Sequence, residues 1–137
     1  MRHLALVVLI LTAAPAVADA ETWRCSARKG PVTHDLSATV EGGRVTGFDY
    51  LALTKGASDV TSCSLAPEGK PALGANGTTT FPLTDDDVAV ARKQGDAITF
   101  DFTQTRLSHY CGQSSTIAAT LTVKAGAKHC LAVRNQE

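Results

Sequence analysis

The sequence predicts an all-β domain of about eight antiparallel strands, arranged as a small barrel or a two-layer sandwich and held by two disulfides. Three observations predict it. Apolar side chains recur with a period of two, as in strands with one wet face. Glycine and proline punctuate the chain at hairpin spacing. Four cysteines follow an N-terminal stretch that has the form of an export leader.

That leader is read over residues 1–20. Met1-Arg2-His3 is a short basic start, Leu4 to Leu11 an apolar run, and Ala16 to Ala20 a small-residue cleavage region. Ala18 and Ala20 place the cut before Glu21, with a second cut offered before Asp19. The apolar run falls short of the about 20 residues a membrane helix needs, and Pro15 ends it. No membrane span is therefore expected after cleavage. The alanine-rich leader has a bacterial style, so the expected destination is the periplasm or the exterior.

The remaining residues, 21–137, suit a single β domain with a modest core. The 13 basic and 13 acidic residues balance, and the leader takes Arg2 and Asp19, one of each sign. Nothing in this balance suggests the basic face of a nucleic-acid binder, and no polybasic run for anionic lipid occurs. Aromatic residues make up only 5%, so the core is expected to be mainly Val, Leu, Ile and Ala.

The strands are expected near 22–27, 32–41, 44–53, 59–65, 87–93, 97–105, 115–124 and 128–134. Trp23, Cys25 and Ala27 mark the inner face of the first. Val32, His34, Leu36, Ala38 and Val40 mark the second. Gly42-Gly43 is a two-residue hairpin signal. Regular pairing across it would put Asp49 on the apolar face, opposite Leu36. A bulge near Gly47 corrects this by turning Phe48 and Tyr50 inward. Residues 66–87 carry Pro67, Pro71, Asn76-Gly77, three threonines and Pro82, and read as a long Gly/Pro/Thr-rich loop. Residues 85–94 fit a short helix started by Thr84 and the aspartates. They fit better a strand that turns at Gln94-Gly95 and returns through Ile98, Phe100 and Phe102, because the flanking segments are strands. A last hairpin turns at Ala125-Gly126-Ala127. A three-residue loop there would pair Leu121 with Leu131 and Ala119 with Val133.

An even cysteine count in an exported chain reads as two disulfides among Cys25, Cys63, Cys111 and Cys130. Proximity favours Cys25–Cys63 with Cys111–Cys130. The rival pairs Cys25 with Cys130, tying the terminal strands, and Cys63 with Cys111. Closure entropy changes slowly with loop length, so the preference is small. Each bridge should contribute about 2–4 kcal/mol. No CxxC occurs, which argues against metal or redox chemistry.

The remaining polar residues give weak signals for chemistry. Histidines His109 and His129 would meet if Cys111 pairs with Cys130, and could then form a metal or pH-responsive site. A packed or surface role is the stronger reading, since no third ligand is specified. Asp85-Asp86-Asp87 offers oxygen ligands but lacks the EF-hand spacing. Ser108-His109 has no G-x-S-x-G around it, and no glycine-rich phosphate loop occurs. The densest group of recognition-type side chains is the 106–113 loop, with Arg106, His109, Tyr110 and Gln113 as candidate partner contacts. A cysteine within it would fix its shape.

In outline this chain resembles the small exported, disulfide-bonded β proteins that inhibit lysozyme in the bacterial periplasm. That family's Ser-Gly-x-x-Tyr type loop motif is absent here, so the resemblance is one of architecture and transfers no residues. The expectation is an exported, non-enzymatic binding protein whose partner is a hydrolase of lysozyme type. The alternative is a small-molecule or metal carrier. No cofactor is implied.

Overall fold

The structure, a computed structural model, describes residues 12–14 and 19–137. The leader read over 1–20 lies for the most part outside the described residues. The elements run β1 (Glu21–Lys29), β2 (Val32–Glu41), β3 (Arg44–Lys55), β4 (Val60–Leu65), β5 (Ala72–Leu73), β6 (Thr78–Pro82), β7 (Val88–Gln94), β8 (Ala97–Asp101), α1 (Leu107–Tyr110), β9 (Ala118–Lys124) and β10 (Ala132–Asn135). They form two antiparallel sheets, β1-β2-β3-β4 and β10-β9-β8-β7-β6-β5. The architecture is a sandwich, not a closed barrel. Among the described residues, no helix is long and apolar enough to cross a membrane.

Turn chemistry sets the first sheet. Gly42 and Gly43 have φ of 56° and 74°, the left-handed pair that a tight hairpin requires. Val40 then pairs with Val45, but Thr39 pairs with Gly47. Thr46 is the extra residue of a bulge. It returns Phe48 opposite Ala38 and Tyr50 opposite Leu36, and both aromatic rings are buried. Residues 88–94 are likewise a strand, paired with β8 through Gln94 and Ala97.

The 66–87 segment corrects the expectation of a loop. It contains β5 and β6, and β6 lies between β5 and β7. Thr79 and Phe81 point inward at 1% and 0% exposure. Three threonines and a phenylalanine favour a pleated strand, a signal masked in sequence by the flanking glycines and prolines. Pro82 stands at the last position of β6, where its missing N–H interrupts no interior ladder. Asn76 and Gly77 turn the β5–β6 hairpin at φ of 55° and 71°. A side chain at Gly77 would also meet the Lys93 carbonyl at 2.3 Å.

The core is mainly Val, Leu, Ile and Ala, as expected, around an aromatic centre. Phe48 packs on Phe81, Phe100 and Phe102 with ring centroids 5.1, 5.3 and 5.8 Å apart. Tyr50 packs on Phe102 at 4.8 Å. All of the chain's 4 phenylalanines therefore meet between the sheets. Few aromatic residues suffice because each buries a large area, worth about 1.5–3 kcal/mol when fully covered.

The last hairpin is also corrected. Leu121 pairs with Val133, not with Leu131, and Leu131 is 57% exposed. The connection is longer than expected because it leaves its own sheet. The Ser26 N–H donates to the Lys128 carbonyl at 3.0 Å, and the Cys130 N–H donates to the Ser26 carbonyl at 3.1 Å. The parity of the strand is kept, so Leu121 still faces an apolar partner.

That detour brings Cys130 to Cys25. The disulfides are Cys25–Cys130 and Cys63–Cys111, not the nearest-neighbour pairing. Chain separation decides little, because closure entropy grows only logarithmically. Topology decides instead. One bridge ties β1 to the β9–β10 connection and the other ties β4 to the β8–β9 connection, so each joins the two sheets.

A buried polar chain makes a further join. The His34 ring is wholly buried. Its Nδ1 lies 2.7 Å from the Tyr50 hydroxyl and its Nε2 2.9 Å from the Asn135 Oδ1. The Ala118 N–H donates to the same Tyr50 oxygen at 2.8 Å. One proton arrangement satisfies every group: Nε2–H donates to Asn135, and Tyr50 donates to a bare Nδ1. The imidazole is then neutral. Burial lowers the His34 pKa, against the opposing Asn135 hydrogen bond and the nearby Asp35 charge. Burial likewise raises the Tyr50 phenol, keeping it a donor.

Candidate functional site

The acidic run Asp85-Asp86-Asp87 forms the turn between β6 and β7. The Asp87 N–H donates to the Thr84 carbonyl at 3.2 Å, the Leu83 N–H donates to the Asp87 carbonyl at 2.9 Å, and Asp85 takes a φ of 56°. This conformation turns the Asp87 side chain away from solvent, to 5% exposure. Facing it is the β8–β9 connection, which runs from Phe102 through Arg106 and the single turn α1.

Asp87 organises that connection. Its Oδ2 accepts from the Arg106 backbone N–H at 2.9 Å, and its Oδ1 accepts from the Arg106 Nε at 2.9 Å. The His109 Nδ1 lies 3.2 Å from Asp87 Oδ2, and its Nε2 lies 3.5 Å from Asp85 Oδ2. The Tyr110 hydroxyl donates to the Thr84 carbonyl at 3.4 Å. Next in the chain, Cys111 is bridged to Cys63 of β4, and its N–H closes the helical turn onto the Leu107 carbonyl at 2.8 Å.

The electrostatics follow from these contacts. Burial pushes the Asp87 carboxyl up, but the Arg106 N–H, the guanidinium and Tyr110 outweigh it and hold the pKa below the usual carboxylate range. Burial, then the Asp87 carboxylate, pushes the Tyr110 phenol up. Asp87 is thus an anion and Tyr110 a neutral donor at neutral pH. The Arg106 side chain stays 56% exposed, so its ion pair contributes little energy, about 0–1 kcal/mol. Its effect is on shape. The guanidinium is held at one end while the rest of the side chain faces solvent.

Three of the four nominated residues, Arg106, His109 and Tyr110, therefore converge on one turn. Gln113 does not join them; it lies exposed on the next turn, beside Ser114 with a φ of 62°. Sequence reading missed Asp87, Asp85 and Thr84 as members of the group. The signal that could have found them is charge: three consecutive acids on one connection, an arginine and a histidine on another.

The His109/His129 pairing is corrected with the disulfides. Cys111 is bonded to Cys63, while His129 lies beside Ser26 of β1 on the other connection. The premise that one bridge would bring both histidines together is lost. Among the described residues, no three His, Cys, Asp or Glu side chains are grouped to hold a metal ion. The acidic run, nominated for calcium, uses Asp85 and Asp87 internally instead.

No protein-family model matches the chain, and no curated protein or solved structure gives a match. The cluster combines charged and hydrogen-bonding groups at one turn. It presents a cation, an imidazole and a phenol on a loop whose backbone is fixed at both ends.

Proposed function

We propose that this is an exported, non-enzymatic binding protein that engages a protein partner through the 106–113 loop. The observation that carries the reading is the convergence of Arg106 and His109 on Asp87 and of Tyr110 on the neighbouring Thr84 carbonyl, next to the Cys63–Cys111 bridge. A loop held in this way loses little conformational freedom on binding, so more of its contact energy appears as affinity. Arginine and tyrosine are favoured at the centres of such contacts. Export is supported by the leader form of residues 1–20 and by the two disulfides, which persist in oxidising compartments.

The specific version is an inhibitor of a lysozyme-type hydrolase. It rests on the architectural resemblance and on the cross-linked loop. The phenylalanine cluster between the sheets favours this reading over a carrier that uses the interior.

The test is inhibition of lysozyme turnover by the oxidised protein, with retention of the hydrolase on immobilised protein as a second readout. Inhibition that falls about tenfold or more in Arg106→Ala and Tyr110→Ala is expected for contact residues near a hot spot. Unchanged lysozyme activity, together with no retention, would sink the inhibitor reading.

A further inference from the structure

The outward face of the four-stranded sheet carries a groove of about 510 Å³, within the size range of small-ligand sites. Its floor is built across the strands. Arg24 of β1 lies opposite Ser37 of β2, which lies opposite Asp49 of β3. The next row runs Ser26, Asp35, Leu51 and Ser64. Ser26 donates to Asp35, so that carboxylate is engaged within the floor. Leu51 places an apolar patch between the polar ends.

One wall of the groove is supplied from the other sheet. Lys128 belongs to the β9–β10 connection, and it lines the groove. The connection is bound to β1 by the two Ser26 backbone hydrogen bonds and by Cys25–Cys130. A tighter hairpin would have kept Lys128 away. The detour thus brings a second cation to the groove that Arg24 lines, on the β1 side where its backbone meets Ser26. The anion Asp49 lies two strands away, at the β3 side. Among the described residues, none of these three side chains takes part in an ion pair.

We infer that this groove binds a short zwitterionic peptide, its carboxylate at Arg24 and Lys128 and its ammonium at Asp49. Two strand spacings separate β1 from β3, about 10 Å. An extended tripeptide spans about 10 Å between its termini. The charges therefore match in sign and separation, and the small apolar side chains would rest on Leu51 and the serines. The inference is independent of the 106–113 loop, which contributes nothing to the groove.

Tri-alanine titrated into the oxidised protein, followed by backbone amide chemical shifts, tests this. Perturbed amides are expected in 24–26, 35–37, 49–51 and 64–66, with little change at 106–113. Blocking either peptide terminus, by N-acetylation or C-amidation, should weaken binding about tenfold, as expected for loss of one charge-assisted hydrogen bond. In Arg24→Ser, amidation should cost much less; in Asp49→Asn, acetylation should cost much less. Both residues are exposed, and the blocked peptides test the charge argument on the unaltered protein. No perturbation at millimolar tri-alanine, perturbation elsewhere, equal binding of the blocked peptides, or equal perturbation by maltose would each overturn the inference.

Discussion

Two histidines of this chain sit in opposite surroundings, and the contrast separates scaffold from surface. His34 is wholly buried, neutral, and bonded on both nitrogens to groups from β3 and β10. His109 is partly exposed and lies between the carboxylates of Asp85 and Asp87. The first joins the two sheets and offers nothing to solvent. The second belongs to a cluster that fixes one loop and leaves its outer edge wet. A polar group inside a sandwich is a join, whereas the same group at a turn can be presented to a partner.

The largest effect should come from the interior histidine. His34→Ala removes a buried ring and leaves the Tyr50 hydroxyl and the Asn135 amide short of partners. The expected loss is about 3–4 kcal/mol, from cavity and unsatisfied polar groups together. Chemical denaturation at neutral pH would measure it. A loss under about 1 kcal/mol would mean that the buried chain is not a structural join.

Acid should distinguish the two regions next. The folded pKa of His34 is depressed by burial, so the unfolded chain takes up the proton first as pH falls. The neutral-His34 contribution to stability is therefore complete above the ordinary histidine value of about 6.5. It is lost as pH falls from there to the lower folded pKa. Asp87 is also depressed, but its contribution is complete above the ordinary carboxylate range. It is lost only in stronger acid, below about pH 4. Denaturation midpoints should fall between pH 7.5 and pH 5, and His34→Gln should flatten that fall while Asp87→Asn leaves it in place. A fall that persists in His34→Gln would assign the titration to another group.

The smallest effect on stability should come from Asp87→Asn. The amide can still accept the Arg106 N–H, so about 1 kcal/mol is expected to be lost, mainly from charge-assisted bonding. Its effect should instead be local. Amide hydrogen exchange should quicken across 106–111 and stay unchanged in β2 and β3. Uniform quickening would contradict the division between scaffold and surface.

Local rules account for much of the fold. The Gly42-Gly43 turn and the misplacement of Asp49 were enough to require a bulge near Gly47, because a pleated strand has a strict two-residue period. That bulge is present at Thr46. The return of 97–102 on 88–94 followed from the same alternation. The site was half legible. Residue type singled out the 106–113 loop, yet nothing in spacing along the chain joins Asp87 to Arg106 and His109. Their proximity comes from the side-by-side ends of β7 and β8. Strand β6 stayed hidden because glycine and proline on either side masked four good strand formers.

By itself, then, the amino-acid order determined the pleat, the hairpin turns, the bulge and the all-β class, since these depend on neighbours within a few residues. Tertiary structure alone decided which cysteines meet and which residues face Asp87. It also decided that the 125–131 connection crosses to β1 to complete the groove. Sequence distance carries almost no weight in those choices, because closing a longer loop adds only a logarithmic cost. Packing two sheets face to face, by contrast, commits every edge and connection at once.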